Sequence, residues 1–203
     1  MEEEEWTQGD QKLLQRLVQH KVVCESDLIK WFHQFILQST VENNNNNNNQ
    51  TGLTEQLKAR LVQYKAKLQL LGLSLNSIWV QEKNTSYWSI VNARDDRIAQ
   101  KVCKYNDTDI LVFKTMVDYV LQEKNSPTEL IDKRELLSSL DSLKEKRPKP
   151  MEVDSALNKL SKDQWIWLQN DQSHRVYIQL SPRTILELPH VFDAYLSSTW
   201  SER

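Results

Sequence analysis

Glycine is scarce in this sequence. Only Gly9, Gly52 and Gly72 occur among 203 residues, so there is no Gly-rich loop to cradle a phosphate and no GxSxG nucleophile elbow. No HExxH occurs either. Cysteine is scarcer still: Cys24 and Cys103 stand alone without a CxxC, and with four scattered histidines they do not make a structural zinc site of usual spacing. Two isolated cysteines fit a reducing, intracellular compartment. No apolar run approaches membrane-spanning length, so no membrane partner is expected. Lys plus Arg number 26 against 28 Asp plus Glu, a balance without the charge excess of a nucleic-acid binder. The acidic start MEEEEW fits neither a signal nor a transit peptide. No catalytic residue, cofactor or metal is expected. The enzymatic alternative would pair Cys24 with His20 or His33, and a buried or inert thiol is the simpler reading.

What the chain does have is a pattern. Thr7 with Asp10 resembles a capping box, and Leu13, Leu14, Leu17 and Val18 follow at helical spacing. A second helix is predicted from about Ser26, with Leu28, Phe32, Phe35 and Ile36 on one face. Seven consecutive Asn at 43–49 read as an insertion in a loop, because the tract favours no helix and carries no apolar side chain. A third helix is predicted over Leu53 to Leu71, with Leu57, Leu61, Tyr64 and Leu68 inward and Gly72 at its C-cap. The stretch SIWVQEKNTSYWSIVN, Ser77 to Asn92, is a β-hairpin turning at Asn84-Thr85-Ser86.

Beyond Asn92 the order repeats. Ile110, Phe113, Val117 and Val120 mark a fourth helix. Asp132 and Glu135 frame a fifth, with Leu136, Leu140 and Leu143, which KEKRPKP breaks at Pro148 and Pro150. A sixth carries Val153, Leu157 and Leu160. A second hairpin follows in WIWLQNDQSHRVYIQL, with Trp165 and Trp167 on one face, and then a Ser181-Pro182 helix start and a last helix bent near Pro189. Three helices closed by a hairpin describe a winged helix. The expected fold is therefore α+β and mostly helical: two winged-helix domains in tandem, at 1–94 and 95–203, the second with a C-terminal helix.

Many winged helices read DNA with the third helix. Here Lys58 and Lys65 flank one side of the core stripe and Arg60 and Lys67 the other, while the face opposite carries Ala59, Val62, Gln63 and Ala66. A small, partly apolar face suits a protein partner better than a base edge. The residues expected at a partner interface are Ala59, Val62 and Ala66, Leu14 in the first helix, and Trp6. Weak or indirect DNA contact would fall to Lys58, Lys65, Lys146, Arg147 and Lys149. A free-standing winged-helix DNA-binding (transcriptional) protein is the alternative.

Several stretches also resemble the non-SMC element one family of the SMC five–six chromosome-maintenance complex. They are LLQRLVQHKVVCESDL from Leu13 to Leu28, Tyr87 with Val91-Asn92, and YIQLSPRTILEL from Tyr177 to Leu188, all in the family's order. The resemblance implies a MAGE-like tandem winged-helix partner, a kleisin subunit engaged by the pair, a nuclear, chromatin-associated assembly that binds DNA, and a role in recombination repair. It also implies a zinc-binding RING domain, linked to ubiquitin ligase activity, after the second winged helix. This sequence ends at Arg203, where that domain is expected, and carries no Cys/His zinc pattern. Ligase chemistry is therefore not expected of it.

Overall fold

The computed structural model describes residues 6–37, 50–93, 104–123, 126–143 and 147–193. The Asn tract, the charged Asp95-Asp96-Arg97 stretch, Cys103 and Lys146 lie outside these residues. The fold is α+β and mostly helical, with small antiparallel sheets, and it divides into two compact units, Met1–Asp95 and Asp96–Arg203.

The first unit begins with α1 (Gln8–His20). Thr7 and Asp10 close a reciprocal capping box at its start, which satisfies two of the helix's open N–H groups. Leu13, Leu14 and Leu17 point into the core, but Val18, placed by spacing on the same face, is 61% exposed. α1 ends in a strained turn. Lys21 has φ 62° and ψ −44°, and Val22 N–H donates to His20 C=O at 2.6 Å, which closes a γ-turn that L residues rarely adopt. Lys21→Gly is expected to stabilise the protein by about 1 kcal/mol, because glycine occupies this φ without a Cβ penalty. Thermal unfolding should then rise by several degrees; a fall would mean that the turn is not strained.

After β1 (Val23–Cys24) comes α2 (Glu25–Phe32), which runs on as a π-helical turn over His33–Leu37. α3 (Gln50–Leu70) buries Leu57, Leu61, Tyr64 and Leu68, as their spacing predicts. Gly72 follows at φ 74°, the left-handed conformation that a helix end of this kind requires. β2 (Leu73–Val80) and β3 (Thr85–Asn92) form the hairpin. It starts four residues before Ser77, because Leu73–Asn76 continue the register. The turn is a short 3₁₀ segment, Gln81–Lys83, with Asn84 left-handed, so Thr85 and Ser86 already belong to the strand. The sheet order is β1-β3-β2, with Val23 opposite Trp88 and Cys24 opposite Tyr87. α1, α2, α3 and Leu75 enclose one core.

The second unit repeats this plan. Its elements are α4 (Asp107–Glu123), β4 (Ile131–Asp132), α5 (Lys133–Asp141), α6 (Pro150–Lys162), β5 (Ile166–Asn170) and β6 (Val176–Leu180), with sheet order β4-β6-β5. Ile110 is 48% exposed; α4 instead buries Val112, Met116, Val117 and Val120. Leu143 lies just past α5 and is exposed as well. Pro150 does not break a helix but starts one, its fixed φ and missing N–H being harmless at N1. Trp165 precedes β5 rather than sharing a strand face with Trp167. At Ser181-Pro182 begins α7 (Pro182–Glu187), which stops two residues before Pro189, and the chain beyond Asp193 lies outside the described residues.

Candidate partner-interaction surface

The candidate surface is organised by a buried charge. Asp10 is 1% exposed. It receives Arg60 Nε at 2.8 Å on one oxygen and a terminal guanidinium nitrogen at 2.5 Å on the other, a two-pronged pair that ties α1 to α3. The Tyr64 hydroxyl also donates to Asp10, and Thr7 adds its backbone N–H at 2.8 Å and its hydroxyl at 2.7 Å. Burial alone would raise the Asp10 pKa. The bonds from Arg60, Tyr64 and Thr7 outweigh burial and hold the carboxyl well below the usual carboxylate range. Burial first, then the hydrogen bond to Asp10, pushes the Tyr64 hydroxyl well above the usual tyrosine value.

This arrangement fixes how α3 is rotated. Arg60 and Lys67 lean toward α1, where Lys67 Nζ lies 5.5 Å from the Trp6 ring centroid. The opposite side of α3 turns outward: Ala59, Gln63 and Ala66 are exposed and Val62 is 68% exposed. At 100° per residue, Leu70 extends the same face, and it is 82% exposed; its neighbour Leu71 is 71% exposed. In the sequence both leucines look like ordinary continuations of the apolar run, so spacing alone does not mark them as surface residues.

Ala59, Val62 and Ala66 therefore share one accessible face. Leu14 does not join them. It is 7% exposed and packed with Leu13 and Leu17 in the core, since three leucines in five residues make the buried stripe of α1 wide enough to take it in. Trp6 is half-buried rather than free. Its ring lies 5.9 Å from that of Tyr64, covering the buried hydroxyl–carboxylate network.

The cations behave unevenly. Lys58 and Lys65 are exposed on one flank of α3 and pair with no carboxylate among the described residues. Arg147 is held by Asp141 at 2.8 Å, whereas Lys149 stands exposed at the N-cap of α6, where its backbone N–H donates to Glu152 at 2.8 Å. The Cys24 thiol meets Ser26 Oγ at 3.2 Å and Asp27 Oδ2 at 3.3 Å, a hydroxyl and a carboxylate rather than an imidazole. His20 instead packs on Trp31, with ring centroids 4.9 Å apart. His33 lines a shallow 490 Å³ groove with Ile29, Lys30, Gln34 and Leu53. No group of three or more metal-ligating side chains occurs among the described residues. None of the described helices is long and apolar enough to cross a membrane.

The second unit contains a counterpart of the buried anchor. Asn106 and Asp109 cap α4 reciprocally, at 2.8 and 3.1 Å. Asp109, 2% exposed, receives Lys159 Nζ from α6 at 2.9 Å. The acid and the cation are 50 residues apart in both units. The aromatic residue before each cap also reaches a residue four positions past the cation: Trp6 contacts Tyr64, and the Tyr105 hydroxyl donates to Asp163 at 2.5 Å.

These features define an α+β protein built from two helix-and-sheet units of one plan, the first of which exposes a partly apolar helix face on α3. A sequence profile described as the Nse1 non-SMC component of the SMC5-6 complex matches residues 10–188, so the chain belongs to that family. Among solved structures, it is similar to a chain of an "Nse1-Nse3-Nse4 complex", with TM-score 0.72 and 17% identity over 96% of this chain and 78% of that one. None of the curated proteins matches the sequence.

Proposed function

We propose that each unit is a winged helix and that the protein is an interaction subunit of an SMC5-6 complex, binding a MAGE-like subunit of the Nse3 kind and, with it, a kleisin of the Nse4 kind. The assembly is nuclear and chromatin-associated and serves DNA recombination repair. The chain contributes by burying surface rather than by chemistry. One observation carries this reading: on α3, where a DNA-reading winged helix would present mainly polar side chains, the protein presents Ala59, Val62, Ala66 and Leu70 around Gln63. Small residues let a partner backbone approach closely, and Val62 and Leu70 add apolar area along the patch. Half of a standard interface, about 800 Å² per partner, is within reach of one such unit. Lys58 and Lys65 border the patch and add charge without base readout.

Val62→Glu tests the reading directly. The side chain is 68% exposed, so the fold should tolerate the charge. Affinity for the purified MAGE-like subunit, measured by calorimetry, should fall at least tenfold, about 1.4 kcal/mol. Unchanged affinity with the fold intact would remove α3 from the interface.

A further inference from the structure

α3 carries a seven-residue repeat. Lys58-Ala59-Arg60-Leu61 returns seven positions on as Lys65-Ala66-Lys67-Leu68. Seven residues make almost two helical turns, so repeated positions fall within about 20° of each other around the axis. The repeat therefore draws four rows along the helix. Leu61 and Leu68 form the buried row. Arg60 binds Asp10 of α1 and Lys67 lies over the Trp6 ring, so the fold occupies that row too. The other two rows, Ala59 with Ala66 and Lys58 with Lys65, are exposed at both occurrences.

The lysine row is a fixed charge without a counter-charge. Neither Lys58 nor Lys65 pairs with a carboxylate among the described residues. Glu55, the one acid in α3, precedes Lys58 by three residues, and Lys65 has no acid three or four positions away on either side. The two lysines stand about 10.5 Å apart along the axis. Beside them run Ala59, Val62 and Ala66, small enough to let a second helix axis come to the near end of the usual range, about 8 Å.

We propose that this face receives one amphipathic helix of the MAGE-like subunit, laid nearly along α3, with carboxylates about seven residues apart against Lys58 and Lys65. The inference deepens the reading of α3 as an interface and rests on it. Helices crossing at about 20° keep a seven-residue register, so an apolar row and a charged row at one spacing are matched together. An extended strand does not match them, because its side chains recur on one face every 6.8 Å or so. Phosphates would satisfy the lysines but leave Val62 and Leu70 against a hydrated backbone. A second copy of α3 brings no carboxylate: packed antiparallel, it sets the lysine rows against each other, and packed parallel, it sets them against Gln63 and Leu70.

Zero-length carbodiimide cross-linking of the chain with the purified MAGE-like subunit tests the proposal. Lys58 and Lys65 should each form an amide, with loss of water, to a carboxyl side chain of one partner segment, the two acids lying about seven residues apart. Reversing both charges, Lys58→Glu with Lys65→Glu, should weaken binding at least about tenfold at low salt, because like charges then face each other. Both side chains are exposed, so circular dichroism should show an unchanged fold. Lysine at the two cross-linked acids should restore most of the lost affinity. Links to separate segments, or none, while Val62→Glu still weakens binding, would overturn the acidic helix and leave the α3 interface standing. If Val62→Glu has no effect, or no complex forms, the interface reading fails and this inference with it. If the charge reversal spares the subunit's affinity but abolishes binding of a short DNA duplex, phosphate is the occupant of the lysine row and the proposal is overturned.

Discussion

Asp10→Ala should destabilise the first unit by about 3–5 kcal/mol. Removing one side of a buried ion pair leaves the other groups without the charge that justified their burial. Here three groups lose the carboxylate: the Arg60 guanidinium, 21% exposed and left with Gln63 Oε1, the buried Tyr64 hydroxyl, and the Thr7 backbone N–H at the start of α1. Amide exchange in α1 and α3 localises the loss to this unit, and urea unfolding gives its size. Arg60→Ala should cost less than Asp10→Ala, because Tyr64 and Thr7 remain as donors to the carboxylate. The same carboxylate makes stability depend on acid. Its folded pKa lies below the ordinary aspartate value, so near neutral pH both folded and unfolded chains carry the charge and the stabilisation is complete. As pH falls through about 4, the unfolded chain takes up a proton that the folded chain refuses, and stability declines further toward the folded pKa. In Asp10→Asn this part of the acid slope should disappear. An unchanged slope would show that other carboxylates dominate it.

The parts of the fold that could be read from the sequence are those whose signal is local and periodic. Leu57, Leu61, Tyr64 and Leu68 repeat at helical spacing, and all four are buried. The capping pairs Thr7/Asp10 and Asp132/Glu135 are three residues apart, and both close as boxes. β1 and β4 escaped because two residues carry no periodicity; they exist only because β3 and β6 offer a free side to pair with. The outward face of α3 was legible for the same reason as its core stripe, since a regular helix assigns every residue an angle.

What stayed hidden depends on distance along the chain. Asp10 looks like a cap and nothing more until Arg60, fifty residues away, is placed against it. Trp6 near an end looks like a free aromatic until Tyr64 and Lys67 are found beneath it. Leu14 fell on the wrong side because three leucines within five residues make a stripe whose edge spacing alone does not define. The repeat is likewise clearer in contacts than in letters. Arg60 in one unit matches Lys159 in the other, and each unit buries a tyrosine–carboxylate hydrogen bond, though between different positions: Tyr64 donates to Asp10, whereas Tyr105, which matches Trp6, donates to Asp163.

Gly9→Ala sets a local rule against a packing contact, and packing should win. By intrinsic preference the change should help, since alanine favours a helix over glycine by about 1 kcal/mol. Gly9, however, is buried in the first turn of α1, where the π-helical turn at His33–Leu37 passes close by. A Cβ built on Gly9 would lie 2.3 Å from the Phe35 carbonyl oxygen and 3.1 Å from its carbon. Both are backbone atoms, so no side-chain rotation relieves the overlap, and α1 must separate from the π-helical turn. Overpacking of this kind costs about 1–3 kcal/mol, occasionally more, and a contact this short belongs at the upper end. The expected net loss is about 2–3 kcal/mol in urea unfolding, with faster amide exchange at both ends of the contact. Gly52→Ala is the control. It also lies in a helix, nothing stands within 4 Å of its added Cβ, and it should be neutral or slightly stabilising. If both substitutions stabilise alike, the close approach of α1 and the π-helical turn is wrong, and the extra residue in that turn has some cause other than making room for α1.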